Sequence, residues 1–393
     1  MVHATVTEPP PLPEPPSPFA PSPLPAPRSF PSLRGLGPNW YATVMGTAIV
    51  ANAGAALPVR PPGLQPACEA VWVLSALLLV ALLVARAGHW IHHRDQARAH
   101  LLDPAVAPFY GCLAMALLAV GIGTLSVGPG VVGEGTATVA GAALFGVGTL
   151  TALTAAVAIP YLMITRRKLA PDNASPVWLL PVVAPMVSAA AGPMLVDRLP
   201  AGPWREAMLV ACYGMFGLSL LAVLVILPFV LTRLVRHGPL PLALTPTLFL
   251  VLGPLGQSTT AVNKLADVAP AAVSAPYASG LSVFAVVYGV PVLGFALLWL
   301  VLAGLMVIRA ARRGMPFAMT WWAFTFPVGT CVTGAAGLAA HTGLLTLKWL
   351  AVGLYVLLLG AWAVAGVRTL RGLVSGALLA APRAPSPATG RTT

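Results

Sequence analysis

The sequence predicts an all-α integral membrane protein with ten transmembrane helices, arranged as five helical hairpins around a central pore. Three observations support this prediction. Of the 393 residues, 58% are apolar and 8% are charged, whereas soluble domains carry about 25% charged residues. Ten apolar spans follow one another, each close to the roughly 20 residues that cross a bilayer. Basic residues concentrate in alternate connections between these spans.

A proline-rich arm, residues 1–37, precedes the first span. It holds twelve prolines between Pro9 and Pro31. Such a segment buries too little apolar surface to offset the entropy lost on ordering, so we expect a disordered cytoplasmic arm. The transmembrane domain is then predicted over residues 38–370. Residues 371–393 are predicted as a cytoplasmic tail that is first basic and then rich in proline and serine.

The orientation of the chain follows from its basic residues. The predicted spans are 40–58, 67–87, 105–126, 136–164, 176–196, 207–231, 242–262, 277–308, 317–340 and 349–367. With a cytoplasmic amino terminus, the inner side holds 17 of the 22 lysines and arginines. Because basic residues favour the cytoplasmic side, both termini are predicted to be cytoplasmic and the protein to lie in the plasma membrane. Topology therefore explains the net charge of +12 without a nucleic-acid partner.

Odd and even spans differ in composition. The five odd spans contain 20 glycines and prolines and 15 leucines, and the five even spans contain 15 and 29. Leucine suits a surface in contact with lipid, whereas glycine and proline suit tightly packed helices or helices that line a cavity. We therefore predict that the odd helices form the inner ring and the even helices the outer ring.

The ninth span, FAMTWWAFTFPVGTCVTGAAGL, is the strongest candidate for a pore wall. It carries no charge and has a proline at its centre. Pro327 cannot donate the backbone hydrogen bond to Ala323, so a kink is expected there. Phe326 lies at this kink, where its ring can project into the pore. Pro185 and Pro254 are predicted to interrupt two other odd helices.

The odd spans also carry neutral polar residues that can donate hydrogen bonds to an anion, unless each bonds to its own helix or to a neighbour. The candidates are Thr47, Asn52, Thr124, Ser188, Gln257, Ser258, Thr330 and Thr333. Lys264 and Lys348 lie at the predicted outer ends of their spans. They either attract anions to the outer mouth of the pore or serve as interfacial anchors.

Ionisable groups are absent from the middle of every span, which argues against a buried proton relay, an enzyme active site and acidic selectivity rings. The four cysteines are scattered, so we expect neither a disulfide framework nor a metal site, and we expect no cofactor. His89, His92, His93 and His100 are interpreted as a solvated cytoplasmic loop, with metal binding or pH sensing as the alternative.

Three segments resemble the tellurite-resistance/dicarboxylate transporter family. They are GPNWYATVMGTAIV (Gly37–Val50), GPLGQST (Gly253–Thr259) and WWAFTFPVGT (Trp321–Thr330). The family includes tellurite-resistance channels, plant slow anion channels, fungal malate permeases and sulfite efflux pumps. The resemblance implies five hairpins around a pore, a homotrimer in the bilayer, and a phenylalanine in the ninth span that closes the pore. Phe326 is the expected gate, with Phe324 as the alternative.

The expected function is therefore transport of a small anion, such as a C4-dicarboxylate (malate) or sulfite, through a pore gated by phenylalanine. The alternative is a secondary carrier coupled to protons. Because no carboxylate lies at membrane depth, such coupling would use a proton carried by the substrate itself. The sequence does not distinguish these two mechanisms.

Overall fold

A computed structural model describes residues 33–166, 173–376 and 378, and every regular element in these ranges is helical. The predictions for residues 1–32 of the arm and for the end of the tail lie outside the described residues. The α-helices are α1 (Tyr41–Ala56), α2 (Leu64–His92), α3 (Arg94–Leu102), α4 (Gly111–Ser126), α5 (Pro129–Val132), α6 (Glu134–Arg166), α7 (Leu179–Ala191), α8 (Pro193–Val196), α9 (Pro203–His237), α10 (Leu252–Ala272), α11 (Ala275–Arg312), α12 (Phe326–Thr342) and α13 (Leu345–Val374).

Within the described ranges, eight helical segments are long and apolar enough to cross a membrane, whereas ten were predicted. The span predicted over 40–58 forms α1, which has only 16 residues. The span predicted over 242–262 divides between a 3₁₀-helix, Leu242–Val251, and α10. Glutamine, asparagine, lysine and aspartate side chains make α10 less apolar than the other long helices. The molecule is thus a multi-helix membrane protein, and these two helices are its least typical spans.

Burial divides the helices into two groups. Most residues of α1, α4, α7, α10 and α12 are buried. By contrast, only 22–28% of the most apolar stretch of α2, α6, α9, α11 or α13 is buried, and their exposed faces are rich in leucine and valine. The buried helices come from the odd predicted spans, which are rich in glycine and proline. Small residues there allow backbones to approach closely.

A short 3₁₀-helix precedes each buried helix. These segments are Pro38–Trp40, Ala107–Tyr110, Pro176–Trp178, Leu242–Val251 and Met319–Phe324. Four of them contain proline near their start or within the segment, and the fifth ends just before Pro327. Proline fixes φ and lacks an N–H donor, so it is compatible with the first turn of a helix. Each buried helix therefore enters the membrane domain through the same type of local structure.

Glycine permits the closest contact between α10 and α12. A Cβ atom added to Gly256 would collide with the backbone nitrogen of Cys331 and the backbone carbon of Thr330. The hydroxyl of Thr330 donates a hydrogen bond to the Gly253 carbonyl, at 3.3 Å. These contacts join the two helices at the point where α12 begins.

The histidine-containing segment is not the solvated loop that the sequence suggested. His89 is buried in α2, and residues Arg94–Leu102 form α3. The imidazole rings of His89 and His100 stack with centroids 5.6 Å apart. Burial, followed by the nearby positive charge of Arg86, lowers the pKa of His100 below its usual value. The stacked imidazole rings of His89 and His100 thus form one of the contacts between α2 and α3.

Candidate functional site

A small cavity of about 10 Å³ lies among the buried helices, barely the space that one water molecule requires. We call it the constriction. All five buried helices or their 3₁₀ segments contribute to its wall. It is lined by Met45, Met115, Leu179, Leu180, Val183, Leu250, Gly253, Phe326 and Pro327. Its wall carries no polar side chain, so the side chains there offer no hydrogen bond to water or to an ion.

Phe326 and Phe324 occupy different environments. Phe326 is the first residue of α12, is 2% exposed and lines the constriction. Phe324 ends the preceding 3₁₀-helix, where its ring packs edge-on against Phe249 with centroids 4.8 Å apart, and against Trp321. Of the two candidate gate residues, only Phe326 lies at the narrow point.

The three predicted kink prolines differ in their position along a helix. Pro327 lies in the first turn of α12, so the predicted kink is a change from 3₁₀- to α-helix rather than a bend within one α-helix. Pro254 lies in the first turn of α10, immediately after another such change. Pro185 lies inside α7 and is buried. Pro327 also contributes to the wall of the constriction.

A cavity of about 320 Å³ lies at the carboxyl-terminal ends of the same five helices. We call it the C-terminal vestibule. It is lined by Ile49, Asn52, Ala55, Ala56, Arg60, Ile122, Ser126, Ala190, Met194, Gln257, Thr260, Asn263, Lys264, Asp267, Thr333, Ala336, Gly337 and Ala340. On α10 the lining passes from Gly253 to Gln257, Thr260 and Lys264, in steps of four, three and four residues. This spacing marks one face of an α-helix, so the constriction and the vestibule share that face.

A second cavity, of about 680 Å³, lies at the amino-terminal ends of the buried helices. We call it the N-terminal vestibule. Each of the five 3₁₀-helices contributes a residue to it: Asn39, Phe109, Trp178, Leu244 and Met319. Arg233 lies in its wall and donates a hydrogen bond to the Gly238 carbonyl at 2.7 Å. The molecule therefore has one vestibule at each end of the buried helices, with the constriction between them.

The predicted polar lining divides into two groups. Asn52, Gln257 and Thr333 line the C-terminal vestibule. The hydroxyls of Thr47, Thr124 and Ser188 instead accept hydrogen bonds from Trp362, Trp72 and Thr149, which belong to the outer helices. Ser258 donates to the Leu255 carbonyl of its own helix, and Thr330 bonds within α12 and to α10. The second group serves helix packing in this conformation.

The charged residues at the mouth of the C-terminal vestibule include one that the sequence analysis did not select. Lys264 and Arg60 both line the cavity, whereas Lys348 does not. Asp267 lies 4.0 Å from Lys264 and 3.4 Å from the imidazole of His341. Since Arg60 has no carboxylate partner among the described residues, the mouth keeps a positive balance that favours anions.

Residues 35–370 match the voltage-dependent anion channel family, SLAC1. This chain belongs to that family. The match covers every helix from α1 to α12 and most of α13, and it confirms the family resemblance read from the three sequence motifs. The chain is therefore a membrane protein of an anion-transporting family whose members are channels and transporters rather than enzymes.

Individual relatives of the voltage-dependent anion channel family give further comparisons. An uncharacterized transporter of Methanocaldococcus jannaschii is 26% identical over 346 residues, which cover 88% of this chain and 95% of that protein. The sulfite efflux pump SSU1 of Trichophyton rubrum is 27% identical over 307 residues, covering 75% of this chain and 80% of the pump. A sulfite efflux pump of Arthroderma otae has the same identity and coverage.

Sequence reasoning missed several residues that line the constriction and the C-terminal vestibule. Met45 and Met115 give the constriction its apolar wall, and Asn263 lines the vestibule. Two signals were available. Asn263 follows Thr260 and precedes Asp267 at helical spacing on α10. A proline with an aromatic residue one or two positions later opens three odd spans, as PNWY, PFY and PVW, and these segments form 3₁₀-helices ahead of buried helices.

Proposed function

We propose that this chain conducts a small anion across the membrane along the axis of its five buried helices. One observation carries the proposal: two vestibules lie at opposite ends of the same five helices, and an apolar constriction separates them. A continuous helix face runs from the constriction into the C-terminal vestibule. Arg60 and Lys264 give the mouth of that vestibule the charge that would concentrate an anion.

Sulfite is the favoured substrate, with a C4-dicarboxylate such as malate as the second candidate. The named relatives that are 27% identical to this chain are sulfite efflux pumps. The GPLGQST and FTFPVGT segments resemble those of the malate and sulfite branches more than those of the tellurite branch. A vestibule of about 320 Å³ accommodates either anion with part of its hydration shell.

Phe326 is the proposed gate. Its benzyl group belongs to a constriction that has almost no free volume and no polar wall, and a dry apolar constriction closes a pore to ions. Opening requires the ring to rotate away from the axis, or the start of α12 to shift at the junction of its 3₁₀- and α-helical parts. The anion would then pass directly between the two vestibules.

The wider architecture that we propose is the ten-span arrangement of five hairpins, with the buried helices inside and the leucine-rich helices facing lipid. Both termini would lie in the cytoplasm, which places the N-terminal vestibule on the cytoplasmic side of the plasma membrane. A homotrimer with one pore in each subunit is the expected assembly. The exposed leucine and valine side chains of α6, α9 and α11 supply surface for lipid and for neighbouring subunits.

Reconstitution of the full chain in liposomes tests this function. Sulfite efflux and anion currents are measured in the same preparation, against liposomes without protein. Passive sulfite flux together with a voltage-driven current is the expected result. Accumulation that occurs only with a pH gradient would favour the proton-coupled carrier. If neither sulfite nor malate crosses faster than in empty liposomes, the proposal is wrong.

A further inference from the structure

The hydroxyl groups in the C-terminal vestibule are already committed as donors. Thr260 lies 3.0 Å from the carbonyl oxygen of Gly256 and 3.2 Å from that of Thr330, and it also contacts the hydroxyl of Thr333. Thr333 donates to the carbonyl of Thr330 at 3.0 Å. A hydroxyl has one proton but two lone pairs. Each of these two hydroxyls can therefore accept a hydrogen bond from a molecule in the cavity, but neither has a free proton to donate.

Two asparagines in the same wall also leave acceptors unpaired. The side-chain nitrogen of Asn52 donates to the Ala119 carbonyl at 2.9 Å, and that of Asn263 donates to the Thr259 carbonyl at 2.7 Å. Because a carbonyl can only accept, these bonds fix which end of each amide is the nitrogen. The oxygen of each amide is buried and has no hydrogen-bond partner among the described residues, and each amide nitrogen keeps a second N–H.

Gln257 is the exception in this wall. Its side chain is 3% exposed, lines the vestibule and makes no hydrogen bond to the described residues. It lies one helical turn from Gly253, which lines the constriction. Lys264 is seven residues farther along α10, a rise of about 10 Å. The Gln257 amide is thus wholly uncommitted, lies one helical turn from the constriction, and carries both N–H donors and a carbonyl acceptor.

We propose that Gln257 binds the permeating anion directly, and that this acceptor-rich site takes an oxyanion that carries a hydrogen of its own, such as hydrogensulfite. This inference rests on the proposed function and specifies its substrate. An anion without hydrogen can only accept hydrogen bonds. A halide would meet amide N–H groups but also the acceptor oxygens of Thr260, Thr333 and Gln257, which oppose its charge. A hydrogen-bearing oxyanion can accept from the Gln257 N–H and donate from its own O–H to a neighbouring oxygen.

Flux through the reconstituted wild-type chain tests the substrate class. Sulfite flux is measured at constant total sulfite over a range from mildly alkaline to mildly acidic pH. Nitrate, an oxyanion that stays unprotonated over this range, is measured alongside. Sulfite flux should rise in proportion to the hydrogensulfite fraction, while nitrate flux stays lower and does not follow it. The vestibule mouth also holds Asp267 and His341, beside the cations Lys264 and Arg60. Because charges there act on any anion, the nitrate series controls for their contribution to the pH dependence.

The Gln257→Met variant tests the residue. Methionine keeps the length of the side chain but removes both the donor and the acceptor. Loss of a hydrogen bond to a charged group should reduce sulfite flux by about tenfold or more. Gln65→Met, the same change at an exposed residue of α2 that bonds to Glu69, is the matched control and should retain wild-type flux.

The outcomes separate the two levels of the proposal. Absence of any anion flux in the wild type contradicts the proposed function itself. If sulfite flux instead rises with the fraction of the doubly charged sulfite ion, or does not change with pH, the proposed substrate class is wrong. Anion transport itself then still stands. Wild-type sulfite flux in Gln257→Met overturns the role of the residue. The wild-type pH series does not depend on whether the variant folds.

Discussion

The hydroxyl oxygens of Thr260 and Thr333 lie 2.7 Å apart and connect α10 to α12 in the wall of the C-terminal vestibule. Thr260 also approaches the Thr330 carbonyl at 3.2 Å. Because α12 begins with Phe326, this contact couples the helix that carries the proposed gate to the helix that carries Gln257. The pair is therefore both a packing contact and part of the wall of the C-terminal vestibule.

A double-mutant cycle should detect this coupling. Thr260→Val and Thr333→Val each remove one hydroxyl and should each lower the free energy of unfolding by about 1 kcal/mol. Their combination should cost less than the sum of the two, with a coupling energy of about 0.6 kcal/mol, as is typical for hydrogen bonds between membrane helices. Thermal unfolding in detergent gives the stability of the wild type, the two single variants and the double variant. Strictly additive effects would mean that the two hydroxyls do not interact.

Gly256→Ala should disrupt the contact between α10 and α12. The added methyl group would collide with backbone atoms of Cys331 and Thr330, which cannot move away as a flexible side chain can. We expect a loss of about 1–3 kcal/mol in the free energy of unfolding, typical of overpacking. Gly294→Ala on α11 is the control, since a Cβ atom there meets no atom within 4 Å. Equal melting temperatures for the two variants would contradict the close approach.

Composition alone predicted which helices would be buried. Glycine and proline in the odd spans, and leucine in the even spans, correctly indicated the buried and exposed groups, because lipid selects apolar bulk and close packing selects small residues. This contrast in composition did not predict the orientation of single side chains. Thr47 and Thr124 belong to buried helices, yet their hydroxyls meet indole N–H groups of Trp362 and Trp72 on outer helices. Which face a threonine presents depends on helix rotation, which composition does not determine.

The effect of proline on local helix structure was also only partly predictable from the sequence. The position of Pro327 correctly marked a break in the ninth span, but the sequence gives no simple signal for a 3₁₀-helix before the break. The tryptophans ahead of it contribute by tertiary contacts: Trp322 donates a hydrogen bond to Thr369 of α13 at 2.9 Å. A contact over 47 residues in the chain cannot be inferred from the local pattern.

Acidification should loosen the packing of α3 on α2. Burial and Arg86 lower the pKa of His100 below its usual value, and Asp103 opposes this shift. The unfolded chain therefore binds a proton more readily than the folded protein. Stability is highest above the ordinary histidine pKa, about 6.5, and falls as the pH drops below it.

His100→Gln should flatten this pH dependence, because glutamine does not titrate. The melting temperature of wild type and variant is measured from neutral to mildly acidic pH. His92→Gln, at an exposed residue near the end of α2, is the control and should keep the wild-type slope. The other charged or titratable groups around His100, namely Arg86, His89 and Asp103, are unchanged in both variants. An unaltered slope in His100→Gln would exclude His100 as the source.

Charge at the vestibule mouth should affect flux in a salt-dependent way. Arg60→Gln removes a cation that lines the C-terminal vestibule, so anion flux should fall several-fold at low ionic strength. The deficit should shrink at physiological salt, where the Debye length is about 8 Å. Lys348→Gln, outside the cavity lining, should have the smaller effect. If the two variants reduce flux equally, or if salt does not change the deficit, positive charge at the vestibule mouth does not attract the anion.

The gate assignment makes the most demanding prediction, because Phe326 and Phe324 are only two residues apart. Phe326→Ala should raise anion flux, since it removes a benzyl group from a constriction of about 10 Å³. Phe326→Leu should give a smaller rise, because leucine fills part of the same space. Phe324→Ala is the matched control: its ring packs on Phe249 and Trp321, so the variant should melt at a lower temperature without a rise in flux.

These three variants distinguish steric gating from a general loosening of the helices. Replacing a buried phenylalanine by alanine costs about 3–5 kcal/mol of stability, so Phe326→Ala should be strongly destabilised, and Phe324→Ala, at a half-buried ring, should be destabilised somewhat less. A rise in flux confined to position 326, and graded from leucine to alanine, follows only if the ring itself obstructs the passage. An equal rise in Phe324→Ala would indicate leakage through a weakened bundle. Unchanged flux in Phe326→Ala would mean that the obstruction lies elsewhere on the axis, and the methionines at positions 45 and 115 would be the next residues to replace.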